Sequence, residues 1–213
     1  MPISNHAVRL AAAAFFASCL LASSSSATTV TLSDASSDEV GSPAATMDGT
    51  VEFSVSGNTL TIDVTNDTTG TMRMTELVFN GSVDVTNLTL DTSPNASGGA
   101  ALWVFSTSVT ADIFGTFDYG VDGIKVGNGP SAEFGEVLAG ETIQFTFSIS
   151  GSGFDASSFS SSESSGGFTV AAFFNTNSGN GGAFGAAVVP EPSSAVMLML
   201  GLIGLTQLGR RRS

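Results

Sequence analysis

Histidine, cysteine, tryptophan and tyrosine each occur only once in this chain, and lysine and arginine together number six against 19 acidic residues. The single histidine, His6, and the single cysteine, Cys19, both lie within the first 20 residues. A domain formed by the rest of the chain therefore has no Ser–His triad, no Cys–His pair, no disulfide and no histidine-bound zinc or haem. The polar functional groups that remain in such a domain are carboxylates, hydroxyls and amides.

Positive charge is scarcest between residues 28 and 189, where Arg73 and Lys125 stand against 18 acidic residues, a net charge of −16. Nucleic acids and anionic membrane surfaces are bound through lysine and arginine, so neither is expected as a partner of this region. The acidic balance is compatible with cation binding or with solubility alone. A hydrolase with paired carboxylates stays open in principle, but one Trp and one Tyr would make a poor sugar-binding cleft, and we expect no catalytic residues.

The N-terminus has the layout of a secretory signal peptide. A weakly basic segment precedes an apolar stretch at 10–22, and small residues follow. We place signal cleavage after Ala27, with Ser25 and Ala27 in the two positions that require small residues. A competing interpretation treats the segment FASC, which ends at Cys19, as a lipidation site. A signal peptide makes the secretion translocon and signal peptidase partners of the chain.

The C-terminal segment 189–213 has three parts in a fixed order. A stiff acidic tripeptide comes first, an apolar stretch at 195–208 follows, and three arginines close the chain: Pro190, Glu191 and Pro192, then Arg210, Arg211 and Arg212. The prolines cannot join the following helix, and arginines stay on the cytoplasmic side of a membrane. A helix over 193–208 would be about 24 Å long, shorter than the ~30 Å hydrocarbon core. It is either a span with snorkelling arginines or a temporary anchor.

This tail resembles the PEP-CTERM sorting signal of exopolysaccharide-producing Gram-negative bacteria. The resemblance covers about 25 residues and implies processing near the PEP motif by exosortase, a membrane transpeptidase-like protease. It implies that Pro190, Glu191 and Pro192 are the recognition element, that the apolar helix holds them at the inner membrane, and that the three arginines fix the orientation. An ordinary tail anchor with an incidental PEP tripeptide is the alternative.

Alternation of apolar and polar residues predicts β-strands across most of 28–174. A hairpin is expected where two such runs flank Gly57-Asn58, and another where two runs flank Asn80-Gly81. The predicted strands are 28–34, 50–56, 59–65, 72–79, 83–90, 101–109, 142–150 and 168–174. Short strands with Gly/Asn turns and Thr-rich outer faces indicate the all-β class, a single antiparallel β-sandwich of jelly-roll or Ig-like type, flanked by the signal peptide and the short C-terminal hydrophobic helix.

The predicted organisation has four parts. They are a signal peptide at 1–27, a β-sandwich ectodomain at 28–174, a Gly/Asn-rich flexible spacer at 175–188, and the PEP-CTERM sorting signal with its transmembrane helix at 189–213.

Asp118 and Asp122 form the best candidate metal site, because the segment 118–123 partly resembles an acidic calcium loop. The competing interpretation is that Asp and Gly build turns here. Trp103 is either a core residue or a carbohydrate platform. Four N-x-S/T triplets are assigned no role: they begin at Asn66, Asn80, Asn87 and Asn95.

The sequence therefore indicates the export and sorting route of the protein more clearly than its activity. We expect an exported, non-catalytic protein that passes through the inner membrane, is processed by exosortase, and ends at the cell surface or in the exopolysaccharide matrix of a biofilm. A calcium-dependent adhesin or a carbohydrate-binding module is the alternative, and a secreted hydrolase is a third hypothesis. No cofactor other than calcium is expected.

Overall fold

The structure is a computed structural model that describes residues 26–32, 47–95, 101–161, 163–175 and 182–187. These residues form thirteen strands and one short helix. In chain order they are β1 (Ser26–Leu32), β2 (Gly49–Ser56), β3 (Thr59–Asn66), β4 (Arg73–Phe79), β5 (Val85–Thr92), β6 (Trp103–Thr110), β7 (Thr116–Gly123), β8 (Lys125–Val126), β9 (Glu133–Phe134), β10 (Val137–Leu138), β11 (Thr142–Gly151), α1 (Ser157–Ser160), β12 (Val170–Asn175) and β13 (Gly182–Ala187).

The first sheet has the strand order β1-β2-β3-β11-β5, and every pair is antiparallel. Its centre is the predicted hairpin of β2 and β3, which turns at Gly57 with φ +59°. Apolar side chains on alternate positions are buried, for example Phe53 in β2 and Ile62 in β3, while their polar neighbours face outward. The period-2 pattern therefore identified both strands and the face that each one buries.

The second sheet has the order β13-β12-β4-β7-β6, with β10 paired to the start of β4. It is also antiparallel. The two sheets pack face to face, so the predicted antiparallel β-sandwich is confirmed. Strands β1 and β13 are edge strands of different sheets and contact each other, which closes one side of the sandwich.

Phenylalanine fills the space between the sheets. Phe79 of β4 is fully buried and its ring lies within 6.5 Å of four other aromatic rings. Those four partners come from both sheets and from α1: Phe53, Tyr119, Phe147 and Phe159. Trp103 belongs to the same core, since it is only 4% exposed and packs edge-to-face against Phe145 at 5.1 Å. The interpretation of Trp103 as a core residue is confirmed, and its interpretation as a carbohydrate platform is wrong.

The predicted hairpin at Asn80-Gly81 is wrong. Strand β4 lies in the second sheet and β5 lies in the first, so the connection crosses from one sheet to the other. The buried Asn80 side chain is what fixes this crossing: its amide donates to the carbonyl of Phe168 at 3.2 Å, and its Oδ1 accepts from the N–H of Asp118 at 3.0 Å. An Asn-Gly pair favours a tight turn, but here the tertiary hydrogen bonds decide the path of the chain.

The flexible spacer predicted at 175–188 is also incorrect over its second half, because β13 pairs along its whole length with β12. The glycines that suggested flexibility are there for close packing. A Cβ on Gly182 would lie 2.4 Å from Cζ of Phe173, and a Cβ on Gly185 would lie 3.0 Å from Cε2 of Phe174. The glycines therefore make room for phenylalanine rings.

A second, smaller apolar cluster covers part of the outer face of the second sheet. Its buried members on the strands include Val78, Phe117 and Phe184, and the turn that contains Phe114 belongs to the same cluster. Phe114 and Phe168 meet edge-to-face at 4.7 Å. Apolar groups therefore cover part of this sheet on both of its faces. This explains why apolar and polar residues alternate less regularly along its strands than along those of the first sheet.

Asp155 caps the first turn of the short helix α1. Oδ1 of Asp155 accepts the backbone N–H of Ser157 at 2.8 Å and of Ser158 at 3.3 Å. Hydrogen bonds from Ser157 lower the pKa of Asp155, because they stabilise the ionised carboxylate. The cap holds α1 against the start of β1, where the N–H of Ala156 donates to Oγ of Ser26.

Candidate functional site

Three features of the chain are candidates for function: the C-terminal tail, the carboxylates of β7, and a polar hollow at one end of the sandwich. The tail residues predicted for sorting lie outside the described residues, as does the apolar segment 195–208; the described chain ends at Ala187, three residues before Pro190. The predicted signal-peptide residues 1–25 lie outside them too. The predicted cleavage residue Ala27 lies within β1, opposite Ser54 of β2.

The end of β13 is fastened to the domain by two hydrogen bonds to one carbonyl. The backbone N–H of Thr169 donates to the Ala187 oxygen at 3.0 Å, and its buried hydroxyl donates to the same oxygen at 3.1 Å. Three residues of chain reach at most ~11 Å. Pro190 is therefore confined to within about 11 Å of this fastening point.

The N-terminal end of β1 lies at the same end of the sandwich as Ala187. Ser26 contacts Ala156 beside α1, and the carbonyl of Ser158 in α1 accepts from the N–H of Ser82. Ser82 belongs to the crossing connection, whose Asn80 is bonded to the segment that fastens Ala187. The chain therefore enters and leaves the described domain at one end.

Asp118 and Asp122 lie on a β-strand, where a calcium loop was expected. Both belong to β7, which pairs with β4 and β6. Four residues along a strand span about 13 Å, whereas oxygen ligands of one Ca²⁺ ion each lie about 2.3–2.6 Å from it. The two aspartates do not form a shared site, and the loop interpretation is wrong. Within the described ranges, no three His, Cys, Asp or Glu side chains come together as a metal-binding group.

Each of these aspartates has a different surrounding. Oδ2 of Asp118 accepts the N–H of Gly81 at 3.1 Å and so ties β7 to the crossing connection. Asp122 stands directly opposite Glu76 of β4. Burial, together with the smaller effect of the neighbouring charge of Asp122, raises the pKa of Glu76 to about 7. Burial also raises the pKa of Asp122. Two carboxylates with raised pKa values therefore stand side by side on neighbouring strands.

Replacing Glu76 with glutamine is expected to stabilise the protein above pH 7. The pKa of Glu76 is about 7 in the folded state, while the ordinary value is 4.5. Ionisation of Glu76 therefore begins to lower the free energy of unfolding above pH 4.5, and the full loss is reached above pH 7. Such a shift corresponds to at most ~3 kcal/mol, and solvent screening of this partly exposed group lowers the gain to about 1 kcal/mol. Urea unfolding at pH 8 and at pH 4 measures it.

The gain from Glu76→Gln should vanish at pH 4, where the glutamate is protonated in both states. Glu52→Gln is the matched control, since Glu52 stands opposite Asp63 in the first sheet but is exposed. We expect that change to alter stability by less than about 0.5 kcal/mol at either pH. An equal gain from Glu76→Gln at both pH values would contradict the role of the Glu76 charge.

The polar hollow was not predicted from the sequence. It has a volume of about 520 Å³ and lies where the crossing connection, β5, β6 and β7 meet; its lining consists of residues 81–83, 85–87, 107–108 and 116–119. Its size falls in the range of small-ligand sites. The residues come from three segments of the sequence, and only the unexpected crossing at Asn80-Gly81 brings the first of them beside the other two. No local pattern signals such a site.

A family model for the PEP-CTERM protein-sorting motif matches residues 188–213. Searches of curated proteins and of solved structures found no match. Among the described residues, no helix has the length and apolar character needed to cross a membrane. The match begins at the residue that follows β13, so a β-sandwich is joined directly to a C-terminal sorting element.

A β-sandwich with such an element defines a class, that of exported proteins sorted through their C-terminus. This chain carries a PEP-CTERM protein-sorting motif at its C-terminus, and the motif supports an exported protein that is targeted by exosortase.

Proposed function

We propose that this protein is a non-catalytic component of the exopolysaccharide matrix, delivered there by exosortase. The single observation that carries the proposal is the sorting motif at 188–213, placed directly after the folded domain. The strongly acidic composition of the domain supports a role in a hydrated polymer more than one at an anionic surface. In the sorting reaction the protein is the substrate.

In this proposal the tail residues have separate roles. Pro190, Glu191 and Pro192 are recognised by exosortase, and the apolar segment 195–208 holds them at the inner membrane during sorting. Arg210, Arg211 and Arg212 fix the orientation on the cytoplasmic side. The two hydrogen bonds from Thr169 to the Ala187 carbonyl support this assignment of roles. They hold the chain to the sandwich three residues before the recognition element begins.

Intact-mass measurement and C-terminal peptide mapping of the protein from its native host test the proposal. We expect loss of the residues that follow the PEP region and recovery of the processed protein with the extracellular polysaccharide. Replacing residues 190–192 together with alanine should leave a full-length C-terminus and move the protein to the membrane fraction. Glu163→Ala, a change at an exposed loop residue, should be processed like the wild type.

A wild-type mass that ends at Ser213 would show that the tail is a lasting anchor and would sink the sorting part of the proposal. A processed protein that is found only in the free medium, with none in the polysaccharide fraction, would sink the matrix part. The two results are independent.

A carbohydrate-binding module is the second candidate function, and the polar hollow is the observation that favours it. A calcium-dependent adhesin built on Asp118 and Asp122 is not proposed, since the two residues lie about 13 Å apart along β7.

A further inference from the structure

We propose that the polar hollow formed by residues 81–83, 85–87, 107–108 and 116–119 binds a neutral sugar unit of a polysaccharide. This inference rests on the proposed matrix function and gives it a location and a ligand class. Three separate observations support it: the chemistry of the lining, a shielded hydroxyl without a partner, and a strained residue at the rim.

The lining matches the chemistry of a sugar. Hydroxyl groups of Ser82, Thr86 and Thr107 are joined by the amide of Asn87 and the ring of Tyr119. Alcohols and amides both donate and accept hydrogen bonds, as the hydroxyls of a pyranose require. The Tyr119 ring is fixed in place, because it packs against Phe79 at 5.6 Å and Phe105 at 6.0 Å. A preorganised aromatic edge with surrounding hydroxyls is suited to a polar ring with apolar C–H faces.

Ser82 carries an unsatisfied hydroxyl at this place. Its Oγ is shielded from solvent and has no hydrogen-bond partner. Such groups are rare in folded proteins, because the desolvation of the hydroxyl is left uncompensated. The backbone N–H of the same residue is bonded to Ser158, so the backbone of Ser82 is held in position. Rotation of the Ser82 side chain about χ1 would be needed to present the shielded Oγ to the hollow, where a ligand hydroxyl would supply the missing partner.

Ser108 is the one non-glycine residue with positive φ in the described chain, at +57°. It lies in β6 at the position that faces Asp118 in the ladder, between the paired residues Thr107 and Val109. A left-handed non-glycine residue is strained and is retained where the surroundings enforce it, frequently at binding sites. The pairing of β6 with β7 is interrupted at Ser108, which lines the hollow, and resumes in the same register after it.

Charge selects the class of sugar. Asp118 contributes a carboxylate to the lining, and no lysine, arginine or histidine lines the hollow. The two basic residues of the described domain are engaged elsewhere, Arg73 with Glu136 and Lys125 over the ring of Phe134. A uronic acid or a sulfated sugar would meet like charge without a counterion. The hollow therefore favours neutral hexose units over acidic ones.

The test measures binding of the full-length protein to defined sugars by isothermal titration calorimetry. The probes are neutral hexamers of glucose, galactose or mannose units, uronate hexamers, and the neutral polysaccharide purified from the producing host. Thr86→Trp fills the hollow, and Thr92→Trp places the same side chain at an exposed position of the same strand outside the lining. Thr86→Trp should weaken binding at least about tenfold, whereas Thr92→Trp should change it less than about twofold.

Asp118→Asn keeps the shape of the side chain and its acceptor for Gly81 while removing the charge. We expect this variant to keep its affinity for the neutral probe and to gain about tenfold for the uronate hexamer. This comparison holds even if the tryptophan variant fails to fold, which far-UV circular dichroism reports.

The outcomes separate the two proposals. Wild-type binding to a neutral sugar that Thr86→Trp does not weaken, or uronate binding that Asp118→Asn does not strengthen, would overturn the assignment of the hollow and leave the matrix function intact. Absence of wild-type binding to every sugar probe would overturn the assignment as well, and recovery of the protein in the polysaccharide fraction would then decide the matrix function. Tighter binding of the uronate than of the neutral hexamer by the wild type would overturn the charge argument.

Discussion

Replacing Phe79 with alanine is expected to lower the free energy of unfolding by about 4 kcal/mol, the largest effect of any single change considered. The side chain is fully buried at the centre of the sandwich. Its ring contacts aromatic residues of the first sheet, the second sheet and α1, with ring centroids 5.6–6.5 Å apart. Truncation removes the burial of one large ring and leaves a cavity between two sheets that cannot close on it. Urea unfolding followed by tryptophan fluorescence measures the loss.

Two further variants make the Phe79 result interpretable. Phe79→Leu keeps much of the volume and should cost about 1.5 kcal/mol. Phe134→Ala removes a ring that is 48% exposed and touches Lys125, and it should cost less than about 1 kcal/mol. A loss below about 2 kcal/mol for Phe79→Ala would mean that the sheets move together to fill the space.

Asn66→Ala is expected to cost about 3 kcal/mol, although the residue is polar and its sequence context suggested no role. The side chain is fully buried at the end of β3. Its amide donates to the carbonyls of Met72 at 3.1 Å and Val137 at 2.7 Å. Its Oδ1 accepts from the N–H of Thr68 at 3.1 Å and from the hydroxyl of Thr68 at 2.6 Å. Alanine would leave two buried carbonyls and two donors without partners.

The other asparagines that begin N-x-S/T triplets supply the control. Asn87 and Asn95 are exposed, so their replacement by alanine should change stability by less than about 0.5 kcal/mol. Asn66→Asp tests the donor separately, because it keeps the acceptor and removes the two N–H groups. Equal thermal unfolding midpoints for Asn66→Ala and Asn87→Ala would show that the buried network carries no net stability.

The strands that the sequence predicted correctly are those with one buried and one solvent face. In β2, β3 and β11 every second residue is apolar, and the alternation states directly which face is covered. Strand β7 was missed because its outer face carries Asp118, Gly120 and Asp122. A Cβ at position 120 would lie 2.9 Å from Cγ2 of Val109, so the glycine there serves packing within a sheet, although glycine normally disfavours strands.

The candidate site was less predictable than the fold, for a physical reason. The sorting motif is a contiguous tail, so its order of residues can be read directly and the family match agrees with it. The polar hollow exists only because the chain changes sheets after Phe79, and that choice depends on hydrogen bonds between Asn80 and residues 38 to 89 positions away. A short stretch of sequence carries no information about contacts between residues so far apart in the chain.

The chain enters and leaves the described domain at the same end, and this affects when the hollow can bind its ligand. Ala187, Val170, Phe79 and Tyr119 lie side by side across four neighbouring strands, so the exit point and the edge of the hollow are about 14 Å apart. In the proposed sorting function, the uncut tail keeps this end of the sandwich next to the membrane. Cutting the tail would then both release the protein and open the hollow to the polymer, so that sugar binding would follow sorting.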